Sequence, residues 1–174
     1  MLFKGIFFMY LQEFIDYLSY QKRFSPHSIT AYRHDLSEFF LFIEEQGAEN
    51  ITAVNHIIIR AWIVSLMEQG LEARSVNRKI STLKSYYKFL MREQKITLNP
   101  MFKIISPKTT KKLPVFVESN SMDELFEKLN EAEDFEDLRD KIILKMFYFT
   151  GMRLAELINI KKLDIDFTNC QVKV

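Results

Sequence analysis

The sequence predicts a mainly α-helical protein built in two parts. Apolar residues recur at helical spacing in four successive blocks before Lys95, and three of the four prolines fall together between Thr97 and Pro114. A strand-like alternation is confined to Cys170–Val174. Glycine and proline number four each in 174 residues, and 48% of the residues are hydrophobic, 16 of them Phe. That composition supports a helical core with few interruptions.

A first helix is expected over Tyr10–Gln21, where Leu11, Phe14, Ile15 and Leu18 share a face. Met1–Phe8 reads as an extension of it or a frayed tail, with Met9 a possible alternative start. The opening run is too short for a signal sequence, Gln12 and Glu13 follow at once, and no segment approaches a membrane span. Ser25-Pro26 supplies an N-cap and a proline at the first helical position. The helix they open carries Ile29, Tyr32, Leu36, Phe39, Phe40 and Ile43, and Gly47 stops it. A third runs from near Thr52 to Gly70 with Ile58, Ile59, Trp62, Ile63 and Leu66, and a fourth from Arg74 to about Lys95. Four amphipathic helices with short connections make one compact helical domain, assigned to residues 1–105.

The fourth helix is asymmetric in charge. At about 100° per residue, Arg74, Arg78, Lys84, Lys88, Arg92 and Lys95 fall within an arc of about 120°, together with Asn77, Ser81 and Ser85. Val76, Ile80, Leu83, Tyr86, Tyr87 and Leu90 lie opposite, and Lys79 lies off the stripe. Cations separated by short side chains suit a phosphate backbone that must come close. An ordinary solvated face mixes signs, whereas this one has Glu93 at its margin as its sole acid. The second helix adds Ser28, Thr30 and Arg33 near its N-terminus, where the helix dipole also favours an anion. His27, His34 and His56 have no cysteine or carboxylate at metal-ligand spacing, so neither a metal site nor a cofactor is expected, and His56 reads as a residue near the third helix start.

Thr97–Pro114 breaks the helical pattern with Asn99-Pro100, Ser106-Pro107 and Leu113-Pro114. Residues 106–114 read as an extended basic linker carrying Lys108, Lys111 and Lys112. Residues 1–105 are accordingly expected to fold alone, with proteolysis beginning near Lys108–Lys112. Residues 115–174 form the second part. Ser121-Met122-Asp123-Glu124 suggests a capping box opening a short helix through Leu129, and an acidic Glu131–Asp137 connection leads to a helix over Leu138–Phe149. Net charge is +1 overall, but Arg74–Lys112 holds eleven cations against Glu93, while Leu113–Val174 holds eight cations and thirteen acids. A basic face for a polyanion and an acidic remainder follow. Cys170 is alone, which excludes an intrachain disulfide and fits a reducing cytosol.

Thr150-Gly151 ends one helix, and Arg153 and Glu156 open the next. With Met152, Leu154 and Leu157 around it, Arg153 is expected to be held by apolar neighbours, its planar fork suited to a carboxylate or a phosphate diester. An Arg153–Glu156 pair that merely closes a helix start is the competing reading.

Thr150-Gly151-Met152-Arg153-Leu154-Ala155-Glu156-Leu157, followed by Ile160, Leu163 and Asp164-Ile165-Asp166, resembles the first catalytic-arginine box of the tyrosine recombinases, Xer-type enzymes and phage-type integrases among them. Ser25–Leu36 and Ser75–Tyr87 resemble the second and fourth helices of that family's SAM-like core-binding domain, and Asn99-Pro100 with Leu113-Pro114 its linker. The resemblance implies a four-helix core-binding domain forming half of a clamp on duplex DNA, followed by the first helices and first strand of an α+β catalytic domain. It implies a site-specific recombinase or integrase in which a tyrosine attacks a phosphodiester to form a 3′-phosphotyrosyl link, Arg153 stabilises the transition state and Glu156 supports it. It also implies partner protomers, a tetramer on DNA in the family, and a cytoplasmic location.

The family's β-hairpin lysine, His-x-x-Arg box and nucleophilic tyrosine have no counterpart here, since all three histidines precede Arg153 and Lys173 falls in the first strand. A fragment that binds without cutting is therefore expected. Its second part would expose apolar faces, self-associate, and leave Cys170–Val174 paired to another copy or disordered, with Arg153 misplaced or mobile. A non-enzymatic helical DNA-binding regulator and a helical adaptor for an acidic protein are the alternatives.

Overall fold

The computed structural model describes residues 3–48, 50–110, 118–128 and 134–173. Lys111, Lys112, Leu113-Pro114, Leu129 and the first three residues of the acidic connection lie outside the described residues. The chain divides into two compact units, Met1–Lys111 and Lys112–Val174.

In the first unit α1 spans Phe3–Asp16 and continues as a π-helical turn over Tyr17–Gln21. Helix α2 (Pro26–Glu45) begins as its sequence predicts: Pro26 occupies the first turn and Ser25 Oγ accepts from the Ser28 amide at 3.3 Å. The expected third helix is two pieces. A 3₁₀ turn covers Ile51–Ala53, and α3 runs His56–Glu68, because Asn55 Oδ1 accepts from the amides of Ile57 and Ile58 and resets the helix start. Helix α4 covers Ala73–Arg92. Gly47 and Gly70 both adopt positive φ, as helix ends that stop on glycine require.

One apolar core ties these helices together. Phe14 and Leu18, Leu36 and Phe39 of α2, Ile59 and Trp62 of α3, and Ile80, Leu83, Tyr86 and Tyr87 of α4 are all buried. Phe39 meets Trp62 edge-on, and Tyr86 packs edge-on against Phe14 and Phe40. The segment read as patternless is partly built in. Residues Pro100–Lys103 form a 3₁₀ turn, and Ile96, Met101 and Ile104 complete the core. Arg60 of α3 donates to the Lys103 carbonyl at 2.9 Å, fastening that turn.

In the second unit α5 covers Ser119–Lys128, so Ser121 lies inside the helix instead of capping it. Helix α6 (Phe135–Thr150) starts three residues before the expected Leu138 because Asp134 caps it through the Asp137 amide. Gly151 closes α6 at φ 66°, and α7 follows as Leu154–Asn159. A 3₁₀ turn at Lys162–Asp164 leads into β1 (Ile165–Asp166), which pairs antiparallel with β2 (Gln171–Val172). The terminal strand therefore has a mate within its own chain, contrary to expectation. The Asp166 carboxylate accepts from Thr168 and Asn169 and forms the turn that brings β1 and β2 together. None of this unit's described residues is buried. Among the described residues, no helix is long and apolar enough to cross a membrane.

Candidate nucleic-acid interface

Helical phase puts every cation of α4 except Lys79 on the side away from the core, and the partners of these outward cations separate them into two sets. Arg74, Lys84 and Lys88 are exposed and make no ion pair with any described residue. Arg78 and Arg92 are engaged. Arg78 grips Asp35 of α2 through both terminal nitrogens, at 2.6 and 2.8 Å, in a fork that matches a carboxylate. Arg92 donates to Glu93 and lies over the Tyr17 ring at 4.1 Å, and the bonds to Glu93 hold its guanidinium even more firmly protonated.

The small polar residues of the stripe also take local roles. Ser81 and Ser85 donate back to the carbonyls of Asn77 and Ser81, which lowers their profile on the helix. Asn77 does not face outward as a free contact: its Nδ2 donates to the Pro107 carbonyl at 2.9 Å and pins the start of the linker against α4. Lys108 follows directly and is exposed. On α2, Ser28 takes part in the cap and Thr30 donates to the Pro26 carbonyl. Arg33 is half-buried. His27, Thr30, His34 and Arg78 surround a shallow depression on the N-terminal half of α2.

Beneath this surface lies a charge cluster that sequence reasoning missed. Asp35 is 1% exposed and receives, besides Arg78, the Lys79 ammonium at 3.2 Å and the Thr82 hydroxyl at 2.9 Å. Lys79, itself buried, also reaches Glu38. The signal was present in the helical phase. Asp35 stands three and four residues from Tyr32 and Phe39 on the apolar face of α2, and Lys79 stands beside Ile80 and Leu83. His34, Asp35 and Glu38 bring ligand atoms close enough for a metal ion, but their carboxylates already hold Arg78 and Lys79. Two cations in place make that group a poor host for a third.

In the second unit, Arg153 stands at the N-cap of α7. Its amide donates to Glu156 Oε2 at 2.6 Å and its Nη1 to Oε1 at 2.8 Å, so one carboxylate caps the helix and aims the guanidinium. The Arg153 amide foremost, then its side chain, hold the Glu156 carboxyl below the usual range. The apolar enclosure expected for Arg153 is absent. Its side chain is 84% exposed, and Leu154 and Ile158 beside it are exposed too. Nη2 and Nε remain available to an anion.

Known sequence patterns match this chain in tandem. The pattern described as phage integrase, N-terminal SAM-like domain, matches residues 11–94, and that of the phage integrase family matches residues 116–174. The chain belongs to the phage integrase family. The tyrosine recombinase XerC of Oceanobacillus iheyensis is 40% identical over 159 residues, which is 91% of this chain and 52% of that relative. The XerC of Listeria innocua is 37% identical over 155 residues, 89% of this chain and 52% of its own. The chain spans about half the length of the relatives it matches. The Tn1549 transposon integrase, solved in complex with circular intermediate DNA, superposes with a TM-score of 0.64 at 17% identity, over 92% of this chain and 52% of that one. That likeness shows an integrase fold. The SAM-like match contains the whole charged face of α4, and the second integrase match contains Arg153 and Glu156.

Proposed function

We propose that this chain binds duplex DNA through the outer face of α4, as part of a site-specific recombinase of the tyrosine type. The observation that carries the reading is the set of exposed cations Arg74, Lys84 and Lys88, none paired with a described carboxylate, on a helix whose other face is buried. Unneutralised cations along one helix release counterions when phosphates replace them. Ser28, Thr30 and Arg33 extend the surface along α2, and Lys108 continues it beyond α4, while Lys111 and Lys112, outside the described residues, join the proposal on their sequence alone. The XerC name of the relatives and the DNA in the Tn1549 integrase complex support this reading.

Arg153 would act on the scissile phosphate. Its free donors would meet the charge that builds on the non-bridging oxygens, while Glu156 holds the guanidinium still. The nucleophilic tyrosine of the family has no matching position in these 174 residues, so on their own they should bind and not cleave. Other protomers on the same DNA and a cytoplasmic location belong to the same proposal.

Anisotropy on random duplex across a salt series tests it. The triple variant Arg74→Gln, Lys84→Gln, Lys88→Gln should bind more weakly and lose about one unit of salt slope per phosphate contact removed. Unchanged affinity and slope in a variant with an intact thermal melt overturns the proposal. Arg78 and Arg92 are left out because their partners within the fold confound the result.

A further inference from the structure

The corner after α1 is built in an unusual way. The chain widens into a π turn whose Lys22 amide bonds to the Tyr17 carbonyl at 3.0 Å, and Phe24 reaches back to the Leu18 carbonyl at 3.0 Å. Between them Arg23 takes φ 53°, a left-handed conformation that a side chain disfavours. π turns and backbone held at positive φ both concentrate at functional sites, where the surroundings must hold them in place. Here they shape one wall of a cavity of about 380 Å³, within the roughly 300–1,000 Å³ typical of small-molecule sites.

The lining is of two kinds. Phe24 and Tyr32 offer ring faces and edges, 5.9 Å apart with Phe24 still 39% exposed, while Tyr17, stacked on Phe89 and lying under Arg92, closes one side. Lys22, Lys88 and Arg92 surround them with positive charge, and neither lysine pairs with a described carboxylate. Rings suit a flat π system, and the cations beside them suit a phosphate. An apolar side chain from a protein partner would satisfy the first requirement and leave the second unmet.

We propose that this pocket holds an unpaired nucleobase together with its phosphate. Paired bases in a duplex present edges and not faces, so the ligand is either an unpaired nucleotide of bound DNA or a free nucleotide. The inference goes beyond duplex binding and shares only Ser85, Lys88 and Arg92 with the outer face of α4.

The test uses the full chain and an oligothymidine carrying one central 5-iododeoxyuridine, as a single strand, as a blunt duplex of the same length, and as the free 5-iododeoxyuridine monophosphate. Irradiation and peptide mapping should place the single-strand cross-link on Tyr17, Phe24 or Tyr32. Phe24→Ala should weaken single-strand binding about tenfold, Lys22→Gln should weaken it severalfold, and both should leave duplex affinity unchanged. A cross-link confined to the oligomer assigns the ligand to DNA, and one of equal yield with the monophosphate assigns it to free nucleotide. Cross-links scattered outside the pocket, or wild-type single-strand affinity in both variants, overturn the proposal. Should Phe24→Ala fail to fold, Lys22→Gln decides, since its side chain is exposed. A chain that holds duplex but not single strand sinks this inference alone. The opposite result sinks the α4 duplex reading alone.

Discussion

Asp35 accepts from both terminal nitrogens of Arg78, from Lys79 and from Thr82 while almost wholly out of water. A buried carboxylate is tolerated when its lone pairs are filled, and removing one member strands the others. Asp35→Ala should therefore cost about 3–5 kcal/mol in urea melts, and Arg78→Gln about 2 kcal/mol. Lys84→Gln and Lys88→Gln, with no partner to lose, should stay within about 0.5 kcal/mol of the parent. An Arg78→Gln protein as stable as the parent would show that the fork adds nothing. The sequence alone groups Arg78 with Lys84 and Lys88, because position on a helical wheel separates inside from outside and says nothing of which cation finds an acid across the interface.

At the scale of elements, the sequence is readable where the backbone carries its own punctuation. Ser25-Pro26 opens α2, and Gly47, Gly70 and Gly151 end helices at positive φ. It is less readable where a polar side chain chooses among nearby amides. Asn55 and Asp134 move the starts of α3 and α6, and the Asp166 turn makes a hairpin from two strands of two residues each. β1 is too short to show a period, whereas β2 falls within the alternating Cys170–Val174. The π turn at Tyr17–Gln21 leaves no mark in the apolar spacing either, since Phe14 and Leu18 suit an α-helix equally well. For the candidate site, the sequence exposes the charge asymmetry of α4 and the Arg153–Glu156 spacing, but not that Asn77 holds Pro107 or that Arg153 stands open to solvent. The cap at α3 can be tested by itself. Asn55→Ala should lower stability by about 1 kcal/mol in thermal or urea melts, whereas no loss would mean that packing alone sets where α3 begins.

Over the whole chain, burial is uneven. The first unit has a closed core, while the second leaves Phe135, Ile142, Phe149, Leu154, Ile158, Leu163 and Phe167 exposed. Apolar groups on that scale favour association. Pairing with β1 fills one edge of β2, but in a two-stranded sheet the outer edges stay open beside the helix faces. Sedimentation velocity of the full chain should show a mass rising with concentration, and Phe149→Ser with Ile158→Ser should return it toward the monomer. A parent chain monomeric throughout the same range contradicts the expectation. The Asp35 cluster also bears on how slowly the fold opens. Its bonds join residues 43 to 47 positions apart on α2 and α4, so the intervening loop and α3 must be gathered before the charges can meet. Such bonds are expected to form on the native side of the folding barrier, so that their loss is felt in how fast the protein comes apart. In a chevron plot the Asp35→Ala chain should show a steeply raised unfolding limb over a nearly unmoved refolding limb, making this buried acid a latch that sets how long α4 stays in place once folded.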